Sequence, residues 1–166
     1  MEDLTLHYVK ATTLPDAWYL CLRELVKYGY KYEVQHGSYV SEQRLDLDHI
    51  TLLITHPHAR PLEPIIPAWY NVPPPVAPGF IEEYADNYWL SDRKEPGELH
   101  TYGERLLSKV DQFDHFVKVL SKTPNTNQAI LQFAEPTDCL QTDPPCVRHI
   151  DMKVKDGRLI FYPYFR

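Results

Sequence analysis

The chain closes on DPPCVRHIDMKVKDGRLIFYPYFR, where a single cysteine, Cys146, follows two prolines and opens a run patterned as a β-hairpin around Asp156-Gly157. Pairing Lys155 with Arg158 across a two-residue turn sets Arg166 opposite Val147, the neighbour of Cys146. A thiolate is the nucleophilic form of cysteine, and a guanidinium beside it stabilises that form while also offering a fork for an anionic substrate group. The pair suits covalent catalysis. In a regular ladder, alternation puts Arg166 on the face of Val147 and away from Cys146. The pairing therefore requires an irregularity, and Pro163, which has no N–H to donate, marks the place where a bulge is expected. The plainer reading makes Cys146 a small buried apolar residue and Arg166 a surface charge.

The rest of the chain must position that hairpin. With 166 residues, 43% of them hydrophobic and 24% charged, the sequence can build one compact domain with a core. A net charge of -6 speaks against a broad nucleic-acid or membrane-surface footprint, so an anionic ligand must be held by a few placed arginines. The N-terminus, MEDLTLHYVKATTL, does not resemble a secretory signal, and no apolar run approaches the ~18 residues of a membrane span. Cys21, Cys139 and Cys146 are an odd number without a CxxC pair, which fits a reducing, cytoplasmic setting.

Thr12 or Thr13 is an N-cap, Pro15 falls in a first turn, and Trp18, Leu22, Leu25 and Val26 recur at helical spacing up to Gly29. Leu45 to Thr55 reads as one strand. Residues 57–78 are a proline-rich loop whose Ile65, Ile66, Trp69 and Tyr70 are expected to pack down on the body. FIEEYADNYWL places Phe80, Tyr84 and Tyr88 on one face of a short helix, with Glu83 next to that face. Phe113, Phe116, Val117 and Leu120 define a further helix closed before Pro124, and Ile130 to Ala134 reads as a second strand. Helices and strands are mixed without strict βαβ alternation, which predicts an α+β fold with a mixed sheet flanked by helices.

The cysteine segment resembles the nucleophile segment of the thymidylate synthase and pyrimidine nucleotide hydroxymethylase family: a Pro-Cys step, a strand, a DG turn and a strand closing on an arginine. YGERL at 102–106 resembles the family's Tyr-Gly segment before its next helix, and DQFDHFVKVLSKTPNTNQAILQF resembles its DQ-helix-Pro-strand region. The resemblance runs in order and spacing from about Arg44 to Arg166. It implies a thymidylate synthase-like single domain over 1–166 and transfer of a one-carbon unit from methylenetetrahydrofolate, or a related reduced pterin, to C5 of a pyrimidine nucleotide, dUMP to dTMP, in a cytoplasmic homodimer. In these terms Cys146 matches the nucleophile that adds to C6, and Arg166 the arginine that contacts the nucleotide phosphate near the thiol. Glu83, with Glu82 as fallback, matches the glutamate that organises water and proton transfer. Tyr102 matches a tyrosine lining the pocket, Trp89 falls near the folate-stacking tryptophans, and Arg44 resembles a phosphate-loop arginine.

Two features depart from the family. Asn127-Gln128 stands where relatives carry an Arg-Arg pair for the partner's nucleotide phosphate, and neutral amides lack the charge that makes arginine strong there. The chain also ends at FYPYFR, inside a predicted strand, before the family's base-reading asparagine; the expectation is an incomplete domain with little turnover as it stands. A dCMP or CMP hydroxymethylase uses the same thiol addition and quenches with water. A non-catalytic nucleotide-binding or dimerisation module is the alternative from another class. A zinc site on His56 and His58, or on Cys139, Cys146 and His149, is disfavoured by its spacing, so no metal is expected.

Overall fold

A computed structural model describes residues 4–37 and 39–166 and divides after Pro78 into two compact units. Both mix helix and strand, so the chain is α+β, with parallel and antiparallel pairing distributed over three small sheets. Among the described residues no helix is long and apolar enough to cross a membrane.

In the first unit β1 (Leu6–Ala11) runs parallel to β4 (His49–Ile54), with Leu6 opposite His49 and Ala11 opposite Ile54. Between them lies α1 (Leu14–Tyr28), opened by Thr13, whose side chain accepts from the Asp16 N–H, and closed at Gly29. β2 (Tyr30–Glu33) pairs antiparallel with β3 (Gln43–Asp46). The single strand expected over 45–55 is thus two strands in two sheets. The break falls at Leu47-Asp48: Asp46 accepts from the Leu47 N–H, and Asp48 accepts from the Thr5 N–H and hydroxyl. Short carboxylate side chains that bond nearby backbone compete with a continuing ladder.

The proline-rich stretch is irregular apart from a 3-10 turn at Ala68–Tyr70. Its apolar side chains do not all pack down as expected, for Ile65 and Tyr70 are exposed and Trp69 is 82% exposed. Proline removes ladder donors, so the stretch has no sheet through which to fold those side chains inward.

The second unit begins with α2 (Phe80–Tyr84), which continues as a π-helical turn at Ala85–Trp89. Then come α3 (Tyr102–Leu107) and α4 (Gln112–Lys122), each capped by a side chain, from Thr101 and Asp111. YGERL is therefore itself a helix, where the sequence placed it before one; the Thr101 hydroxyl, fully buried and accepting from the Glu104 N–H, nucleates it early. A three-stranded antiparallel sheet has the order β5 (Ile130–Gln132), β6 (Val147–Lys155), β7 (Arg158–Phe165). The β6–β7 turn is Asp156-Gly157, with φ of 52° and 71°, the left-handed pair that a two-residue hairpin requires. Tyr102 and Leu106 from α3, Phe116 and Leu120 from α4, and Phe133 and Val147 from the sheet side make the core. Of the expected α4 stripe, Phe113 and Val117 stay exposed.

Candidate functional site

The hairpin register is constant from Lys155 opposite Arg158 to His149 opposite Tyr164, then slips by one so that Val147 faces Phe165. Arg148 is the extra residue, and its carbonyl accepts from the N–H groups of both Phe133 and Ala134. An irregularity is thus present, but it lies in β6 and not at Pro163, which pairs with Ile150. β7 is the edge strand, where a proline's missing donor removes no ladder bond if its nitrogen faces outward.

The slip puts Arg166 across from Cys146. The Arg166 N–H donates to the Cys146 carbonyl at 3.0 Å, and its guanidinium Nη2 donates to the Pro144 carbonyl at 2.8 Å. Cross-strand neighbours share a face, so the bulge brings the arginine to the cysteine where a regular ladder keeps them apart. Cys146 is exposed and, like Cys21 and Cys139, a free thiol, which removes the buried-hydrophobe reading.

Tyr102 supports the same point from below. It is 6% exposed, and its hydroxyl accepts from the Val147 N–H at 3.3 Å, one residue beyond Cys146. Its ring lies 4.5 Å from Trp89 and 5.4 Å, edge-on, from both Tyr88 and Phe133. Trp89 is packed among these rings and is also edge-on to Phe133 at 5.3 Å. Glu83 is exposed on α2, and among the described residues no hydrogen bond or ion pair joins it to Cys146, Tyr102 or Arg166. Arg44 belongs to the first unit, on β3, with its guanidinium 5.6 Å from the Tyr39 ring and on the lining of a cavity of about 540 Å³ with Tyr32, Glu33 and His36. Asn127 and Gln128 are exposed. No three His, Cys, Asp or Glu side chains are gathered for a metal ion among the described residues.

Sequence reasoning missed two groups. The first is an aromatic ladder: Phe80, Tyr84 and Tyr88 stack at 5.5 and 4.9 Å with planes about 15° apart. The Tyr84 phenol is pushed up to about 12, by burial first and then by Tyr102, Tyr88 and Cys146, so it stays a neutral O–H within electrostatic reach of the thiol. Its four-residue spacing was legible as a helix face, but a helix face alone says nothing of a neighbouring cysteine. The second is an ion-pair cluster in which the Arg105 guanidinium spans Asp138 at 2.7 Å and Glu135 at 3.0 Å. Burial raises the Asp138 carboxyl, but the bonds from the Glu135 N–H and from Arg105 outweigh it and hold the group below its usual range. No short-range pattern links residues 105 and 138.

No family model matches the chain. It is similar to the protein named Putative thymidylate synthase of Methanosarcina barkeri (strain Fusaro), at 30% identity over 162 residues, 95% of this chain and 69% of that protein. The protein of the same name from Methanosarcina acetivorans is 26% identical over the same extent. That of Methanothermobacter thermautotrophicus is 33% identical over 82 residues, 48% of this chain and 36% of its own length. With 30% identity sustained along 95% of its length, and with 69% of the relative covered, the chain belongs to the thymidylate synthase-like family.

Proposed function

We propose that the chain serves the transfer of a one-carbon unit to C5 of a pyrimidine deoxynucleotide, dUMP to dTMP, through a covalent Cys146–C6 adduct. The observation that carries this reading is the bulge at Arg148, which sets Arg166 across from an exposed Cys146. In the first step the thiolate lone pair forms the S–C6 bond, and the C5=C6 pair moves toward C5 and the C4 carbonyl oxygen. C5 then carries the nucleophilic charge. Arg166, across the strands from Cys146, offers its remaining guanidinium N–H groups to an anionic substrate group. Tyr102 fixes the backbone behind the nucleophile, and the neutral Tyr84 hydroxyl is a donor for the carbonyl oxygen that gains charge. Glu83, exposed beside the ladder, exchanges protons with water at C5.

The co-substrate methylenetetrahydrofolate, when bound, supplies the one-carbon unit and, for a methyl product, the hydride. The residues present fit planar ligands, because Phe80 and Tyr84 leave stacked ring surface exposed and Tyr84 is within electrostatic reach of Cys146. Trp89, behind Tyr102, braces that wall from within. Asn127-Gln128 offers amides instead of charge, so the nucleotide phosphate is held chiefly by arginine elsewhere. The exposed Leu159, Phe161 and Phe165 of β7 support a homodimer as the working form.

The test is the intact mass of the full-length protein after incubation with 5-fluoro-dUMP and methylenetetrahydrofolate, with Cys146→Ser alongside. A mass increase equal to both ligands in the wild type alone is expected. An adduct that forms only with a cytosine nucleotide moves the reaction to a hydroxymethylase, and nucleotide binding with an unreactive Cys146 refutes the covalent mechanism.

A further inference from the structure

The segment 141–146 that delivers Cys146 is neither helix nor strand, yet the thiol must be held to a fraction of an ångström for an attack to be productive. It leaves the 3-10 helix Pro136–Leu140 and ends at β6, and both of these flanks are tied to α3. At the β6 end the Tyr102 hydroxyl accepts from the Val147 N–H. At the other end, one turn along α3, Arg105 Nη2 donates to Asp138 at 2.7 Å, while Nη1 lies 3.0 Å from Glu135 as an ion pair without hydrogen-bond alignment.

Those carboxylates are not free to turn. They form a reciprocal capping box in which the Asp138 side chain accepts from the Glu135 N–H at 2.8 Å, and Asp138 itself is 1% exposed. The Arg105 side chain is 8% exposed. A planar guanidinium that hydrogen-bonds one oriented, buried carboxylate and lies in ion-pair range of a second fixes a direction as well as a distance, which a lysine cannot do. Energy alone does not explain such a pair, because buried ion pairs are commonly matched in stability by apolar residues of similar volume.

We propose that Arg105 is a positioning residue for Cys146, clamping the start of the nucleophile loop to α3 through Asp138 and Glu135 while Tyr102 clamps its end. The inference rests on the reading of Cys146 as the nucleophile, but its structural part stands apart from that reading. Opening the clamp frees the loop without touching the hairpin's far end.

The experiment is amide hydrogen exchange on the full-length protein and on Asp138→Asn and Arg105→Lys, read at Val147 and Arg166 and, for comparison, at Lys153 and Ile160 beyond the bulge. In Asp138→Asn, exchange at Val147 and Arg166 is expected to accelerate by about ten-fold or more, with less than about two-fold change at Lys153 and Ile160. Arg105→Lys, which keeps the charge but loses the fork, gives a smaller acceleration at the same two amides and supplies the answer if Asp138→Asn does not fold. In parallel, the maximal rate of 5-fluoro-dUMP adduct formation falls by about ten-fold while its half-saturating concentration stays within about two-fold. Uniform acceleration, or none at the two loop-end amides, overturns the clamp. Local acceleration in a protein whose wild type forms no nucleotide adduct leaves the clamp standing and removes the proposed reaction.

Discussion

Gly103 follows Tyr102 in α3, and a Cβ built on it would meet the Ser91 carbonyl oxygen at 1.9 Å, the Ser91 carbonyl carbon at 2.7 Å and the Trp89 carbonyl oxygen at 3.0 Å. All three are backbone atoms, so no rotamer change relieves them. Ordinary carbon–oxygen contact begins near 3.3 Å, which means Gly103→Ala must drive the helix and the 89–91 segment apart by roughly 1.4 Å. Alanine gains at most about 1 kcal/mol over glycine in a helix. Overpacking of a close contact costs about 1–3 kcal/mol, and a backbone displacement of this size belongs at the upper end. The net is a loss of about 2 kcal/mol, or roughly 4–8 °C in Tm for a chain of this length. The separation also pulls Trp89 from Tyr102, now 4.5 Å apart, and loosens the Tyr102 hydroxyl from Val147. The assay is urea unfolding of wild type and variant, with the rate of Cys146 adduct formation measured on the folded protein. A midpoint equal to or above that of the wild type would refute the close-approach argument, because helix propensity alone predicts that result.

Tyr102→Phe keeps the ring and removes the acceptor for the Val147 N–H; a loss of about 1–3 kcal/mol is expected by chemical denaturation, with faster exchange at the Val147 amide. Arg166→Lys loses the Nη2 donation to the Pro144 carbonyl, and roughly ten-fold slower adduct formation by intact mass is expected. His100 is held below its ordinary value, first by burial and then by the Arg105 charge, against the pull of Asp138. The unfolded chain therefore takes up this proton first, so the stability His100 contributes is present above about pH 6.5 and is lost as pH falls through the folded value. Urea midpoints at about pH 7.5 and 5 should show the wild type losing more than His100→Asn; an equal loss removes His100 as the source.

The elements whose signals are local were legible. Thr13, Pro15 and Gly29 bound α1, Pro124 closes α4, and Asp156-Gly157 marks the hairpin turn, since caps and turns are set by residues a few positions apart. β1, β2 and the separation of β3 from β4 were not legible, because LHYVKA becomes a strand only by pairing with a segment some forty residues away and the break depends on the Thr5–Asp48 bonds. The π-helical turn after α2 likewise shows no local signature in ADNYW.

The site was legible in the same measure. That Cys146 and Arg166 can meet only through a slipped register follows from strand alternation, which needs no structure. Where the slip falls does not follow. It is fixed by the Arg148 carbonyl serving two amides at once, those of Phe133 and Ala134, just beyond β5. A bulge that satisfies a neighbouring strand forms on the central strand, whereas Pro163, on the edge, has no third strand to satisfy. The arginine therefore reaches the cysteine because of where β5 ends. One residue inserted between Phe165 and Arg166 should carry the arginine one position past Cys146 and abolish adduct formation while the hairpin persists; an adduct that still forms would mean that Arg166 is not the partner of the thiol.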